Sequence, residues 1–120
     1  MSGYIENLDK MFEVWNTTDT AHQDKCVGEA MEHNLHFVDP RHNIIGHKAF
    51  LDMVRATQKE IPNAVYARSS EVGFQNNFCR YHWTIHLNGE CVMTGFDTVE
   101  VTSSGTILKV IGFFGEIEKL

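Results

Sequence analysis

The pattern of apolar and polar positions divides the chain into a helical first half and a stranded second half. Between Tyr4 and Asn16, Ile5, Leu8, Met11, Phe12 and Trp15 recur at helical spacing, with Glu6, Asp9, Lys10 and Glu13 on the opposite side. This predicts an amphipathic helix. Asn16-Thr17-Thr18-Asp19 breaks it, and Thr20 with Gln23 resembles a capping box, opening a weakly periodic second helix that runs to Glu32. His33 to Asp39 reads as a short strand in which Leu35, Phe37 and Asp39 share one parity. Pro40 ends it, having no amide hydrogen to donate. Arg41-His42-Asn43 forms a turn before the apolar pair Ile44-Ile45. Gly46 to Glu60 is predicted as a third helix, with Phe50, Met53, Val54 and Thr57 on its inner stripe and Pro62 beyond its end.

From Asn63 onward the period falls to that of strands. Ala64 to Gln75 is predicted as one long strand, Asn76-Asn77 as a turn, and Phe78 to Leu87 as the next strand. Asn88-Gly89 is a hairpin signal. The strands beginning at Cys91 and Thr106 flank a Ser/Gly turn. Tyr81, Trp83, Ile85 and Leu87 make an apolar face, opposite Arg80, His82, Thr84 and His86. In the next strand Cys91, Met93, Gly95, Asp97, Val99 and Val101 share one face. In the last, Leu108, Val110 and Phe114 share one parity and Ile107, Ile111 and Phe113 the other. Helices segregated from strands mean an α+β fold. Its antiparallel meander would curl around the three N-terminal helices and leave a pocket between. The outer face would expose Ile111 and Phe113, which leads to the expectation of a homodimer through that face.

A length of 120 residues fits one domain, 1–120. The net charge of −6, with no basic run, argues against nucleic-acid and anionic-membrane partners. No apolar run reaches the roughly 18–20 residues of a membrane span. The N-terminus lacks the basic and apolar regions of a signal peptide. Cys26, Cys79 and Cys91 are odd in number and widely spaced, so reduced thiols and a cytoplasmic location are expected.

One feature of the stranded half calls for chemistry. Asp97 is a carboxylate on an otherwise apolar face, which is costly unless the group is hydrogen-bonded, protonated or used. Asp39 is a second acid on an apolar parity. If both face one cavity, desolvation and mutual repulsion raise their pKa values, so that one can act as a base while the other stays neutral and donates. Trp15, Met53, Val54, Tyr81, Trp83, Val99, Val110 and Phe114 are expected to line an apolar pocket for a hydrophobic small molecule. No metal site is expected: His82 and His86 share a face but stand about 13 Å apart at strand rise, and His33 and His36 lie on opposite parities.

The element order resembles the superfamily named after nuclear transport factor 2, and within it the SnoaL-like and ketosteroid-isomerase-like proteins. The likeness is carried by Phe37-Val38-Asp39-Pro40, Ile45-Gly46-His47-Lys48-Ala49-Phe50, Asn88-Gly89, and Gly95 to Val101 followed by Gly105-Thr106-Ile107. It implies a cone-shaped curved antiparallel sheet wrapped around three helices, the cystatin-like α+β roll. It also implies cofactor-free isomerisation, cyclisation or dehydration of a hydrophobic carbonyl compound. Asp39 would be the base and Asp97 the protonated donor to an oxyanion. The isomerases carry a tyrosine donor on the first helix; here that segment reads Met11-Phe12-Glu13-Val14-Trp15, and Tyr81 is a candidate replacement. The alternative is a ligand-binding or assembly module of the same fold without catalysis.

Overall fold

The computed structural model describes residues 3–120. Helices α1 (Tyr4–Asn16) and α2 (Thr20–Ala30) are followed by strands β1 (Met31–Asp39) and β2 (His42–Ile45), then helix α3 (His47–Glu60). Strands β3 (Val65–Arg68), β4 (Gly73–Gln75), β5 (Phe78–Leu87), β6 (Glu90–Val101) and β7 (Ile107–Phe114) complete the chain. The expected α+β architecture is present. Among the described residues no helix is long and apolar enough to cross a membrane.

Several boundaries moved for identifiable reasons. The second helix stops at Ala30, and Met31, extended, donates its N–H to Val27 O to close the last turn. The strand expected from His33 therefore starts at Met31. The start of α2 comes from Asp19, whose carboxylate accepts from the N–H groups of Ala21 and His22 and caps the helix. The long strand expected from Ala64 to Gln75 is two strands. Between them the Ser70 hydroxyl accepts the His82 N–H in place of a backbone carbonyl, and the ladder is interrupted.

All seven strands join one open sheet in the order β2-β1-β7-β6-β5-β3, with β4 also paired to β5. Every pairing is antiparallel except β1 with β7. That parallel contact brings the short early strand to the end of the meander, beside the strand next to Asp97. Register shifts interrupt the β1–β7, β5–β6 and β6–β7 ladders. Such bulges bend a sheet and let it wrap around helices. The shift between Glu100 and Val101 also reverses one expected facing: Ile107, expected outside with Ile111 and Phe113, pairs with Val101 and is fully buried.

The concave face packs on Leu8, Met11 and Val14 of α1 and on Phe50 and Val54 of α3, all buried. A polar knot joins the three helices beneath it. Gln23, fully buried, donates to Val14 O, Thr17 O and Gln58 Oε1 and accepts from Arg55 Nε. Gln58 donates in turn to Trp15 O and Thr17 O. The residue read as part of a helix cap is thus the hub that satisfies the end of α1. On the convex face Phe96 stacks on Phe113 at 5.0 Å, and Phe113 remains 49% exposed while Ile111 is half-buried.

Candidate active site

Asp97 stands where β6 faces the concavity, and it is buried. Its Oδ2 accepts the Tyr81 hydroxyl at 2.7 Å and its Oδ1 accepts the Trp83 indole N–H at 2.9 Å. Both donors come from β5, where Tyr81 is paired with Asp97 and Trp83 with Gly95. The alternation of the strand therefore aims both side chains at one carboxylate. Burial pushes the Asp97 carboxyl up to about 6; the two hydrogen bonds oppose the rise and the negative charge of Asp39 adds to it. Tyr81, held well above the ordinary phenol range by burial and by the adjoining carboxylate, stays protonated and donates.

Asp39 comes from the other side of β7. A Cβ added at Gly112 would lie 3.0 Å from Asp97 Oδ1 and 3.6 Å from the Asp39 Cβ. The two acids flank one glycine, and its missing side chain leaves the space between them open. Asp39 Oδ1 accepts the Arg41 N–H at 2.8 Å and lies 2.9 Å from His42 Nδ1. The carboxylate oxygen accepts, so the ring nitrogen facing it carries the proton, and Nε2 is left as the ring's acceptor.

Both carboxylates line a cavity of about 400 Å³ between the sheet and helices α1 and α3. Of the expected lining residues, Trp15, Met53, Trp83 and Phe114 are on its wall. Val54, Val99 and Val110 are not. They are completely or almost completely buried in the core and take the space behind the wall. Tyr81 is absent from the wall as well: its hydroxyl reaches Asp97, so the candidate donor serves the carboxylate and not the cavity. Parity identified the inward faces but could not separate core from cavity, because both lie on the same side of the sheet.

Several polar wall residues were missed, His42 and Tyr66 among them. His42 follows Asp39 by three positions, and the β1–β2 hairpin pairs the two directly. An Asp-Pro-x-His run across a turn was the available signal. Tyr66 lies on β3, where the Asn16 side chain donates to Tyr66 O and accepts from Tyr66 N. Asn16 ends α1, so this pairing ties the edge strand to the helix and holds Tyr66 against Trp15 at 4.8 Å between ring centroids. No local pattern announced it.

No protein-family profile matches the chain, and no curated protein matches its sequence. Solved structures do match. A protein from Agrobacterium tumefaciens described as a proposed isomerase of the SnoaL-like family superposes with a TM-score of 0.87 at 25% identity, over 97% of this chain and 100% of that one. An NTF2-like protein of unknown function from an Exiguobacterium species gives 0.75 at 16% identity, over 92% of this chain and 99% of that one. A proposed SnoaL-like polyketide cyclase from a Jannaschia species gives 0.75 at 11% identity, over 94% and 85%. The fold is that of the SnoaL-like and NTF2-like proteins.

Proposed function

We propose that this chain, which has the SnoaL-like and NTF2-like fold, is a cofactor-free acid/base enzyme acting on a hydrophobic carbonyl compound, by isomerisation, cyclisation or dehydration. One observation carries the reading: a buried carboxylate on the wall of an apolar cavity, oriented by two hydrogen bonds and brought to about 6 by burial. A base with that pKa is ionised at neutral pH yet stronger than an ordinary aspartate. In this scheme the Asp97 carboxylate takes a proton from the carbon next to the substrate carbonyl. The C–H electron pair passes into the developing enolate, whose oxygen accepts a hydrogen bond from the Tyr66 hydroxyl on the cavity wall, kept protonated by burial. Asp97 then returns the proton to a different carbon, and no external oxidant or reductant enters the balance. The roles implied by the family likeness thereby change: Asp97 is the base, and Asp39 holds the His42 ring. Tyr66 is the phenol donor on the wall where the first helix has no tyrosine.

The rival reading, a binding module of the same fold, draws on the same two hydrogen bonds, which also serve as an ordinary tie between β5 and β6. Proton exchange decides between them. Apolar enolisable ketones incubated with the protein in deuterated water are expected to exchange their α-protons, with kcat/KM rising as pH increases through about 6 and level above it. Tyr81→Phe removes a bond that lowers the Asp97 pKa, so the rise should move to higher pH. A profile flat across that range would remove Asp97 as the base.

The homodimer is likewise proposed, supported by the exposure of Phe113 beside Phe96 on the convex face. Light scattering at micromolar concentration should give twice the chain mass, and Phe113→Lys should lower it. A strictly monomeric mass for the unaltered chain would overturn the idea.

A further inference from the structure

On the other side of α1 from the cavity, three donor atoms from two helices converge. His22 and Cys26 are four residues apart on α2, about one turn, and so share a face. Glu13 reaches across from α1. Cys26 Sγ lies 3.4 Å from Glu13 Oε2 and 3.5 Å from His22 Nε2, and His22 Nε2 lies 3.3 Å from the same Glu13 oxygen. The triangle is nearly equilateral. With zinc bond lengths of about 2.0–2.3 Å, neighbouring ligands at tetrahedral angles are about 3.3–3.6 Å apart. The three atoms already form one face of such a tetrahedron.

We propose that Glu13, His22 and Cys26 form a site for a zinc-class divalent cation, with the fourth position open to solvent. The rival use of these residue types is a nucleophilic relay, in which the acid holds the ring nitrogen remote from the thiol. Here Glu13 meets Nε2, the same nitrogen that faces Cys26. All three groups point to one place, which suits an ion and leaves nothing to orient the ring for proton relay. Thiolate with imidazole favours zinc over magnesium or calcium, which take oxygen ligands. Cys26 is buried at the base of the site, while the His22 and Glu13 side chains are 42% and 57% exposed, so a cation can enter from solvent. Bound there, it would staple α1 to α2. The expectation of no metal site rested on histidine spacing along strands. This group lies on helices, and its third member joins only when the helices pack.

The test is a cobalt titration of the untagged, reduced full-length chain. One equivalent should bind at micromolar protein with a thiolate-to-cobalt charge-transfer absorption, and zinc should displace it. Cys26→Ser should abolish that absorption. His22→Ala and Glu13→Gln should each weaken binding by about a hundredfold or more, since even groups behind a ligand are worth about 10–100-fold. His22 and Glu13 are at the surface, so these two variants decide the matter even if the buried Cys26→Ser fails to fold. Absence of one-equivalent binding, or binding unchanged in His22→Ala, overturns the proposal.

Discussion

Asp97→Asn is expected to lower turnover of an enolisable ketone by about a hundred- to ten-thousandfold, the usual contribution of a positioned proton-transfer group. The fold should persist. The amide oxygen can accept the Trp83 N–H, and the amide nitrogen can donate to Tyr81 oxygen, so both β5 contacts keep a partner. What disappears is the base. Stability should respond in the opposite sense to activity. The folded pKa of Asp97, about 6, lies above its ordinary 3.8. The protonated form is thus the one that folding favours; its contribution is fully present below pH ~4 and is lost as pH rises through about 6. The amide does not titrate, so the variant should lack this decline in thermal-melting experiments. Asp39→Asn should lose less activity, because Asp39 holds the His42 ring and does not itself move the proton. Undiminished exchange by Asp97→Asn would end the acid/base proposal and favour the binding module.

Gly95→Ala is expected to be the most damaging single methyl addition on the sheet. A Cβ there would fall 2.2 Å from Trp83 Cζ2, 2.5 Å from Trp83 Cη2 and 2.3 Å from Phe113 O. Two of these atoms belong to a rigid indole and the third to the backbone of β7, and none can withdraw cheaply. The indole lies across Gly95 because its N–H must reach Asp97 on the same strand face. To admit the methyl, Trp83 must leave its site or β6 and β7 must separate. Overpacking of this severity costs about 3 kcal/mol or more, which for a chain of this size lowers Tm by about 10–15 °C. The same displacement would remove a hydrogen bond from Asp97 and part of the cavity wall. Calorimetry checks the first effect. A second check is the activity of Gly95→Ala at a temperature where it remains folded, which should still fall. A Tm unchanged within a few degrees would mean that the Trp83 ring does not occupy the position described.

Helix α1 and strand β5 could be delimited to the residue from local pattern, since helical periodicity and turn residues act over a few positions. The inward facing of Asp97 was legible for the same reason: alternation along a strand is a local rule. So was the pairing of two acids as candidates. The parallel contact of β1 with β7, the bulge that turns Ile107 inward, and the Gln23 hub were not legible, because each depends on what lies opposite in space. The candidate site divides along the same line. Sequence alone determined that Asp39 and Asp97 lie on apolar parities and that an apolar concave face exists. Only the tertiary structure decided that Tyr81 serves Asp97, that His42 takes up Asp39, that Val54, Val99 and Val110 are core, and that Glu13 meets His22 and Cys26. Period sets which way a side chain points; what it meets there is set by elements packed from distant parts of the chain.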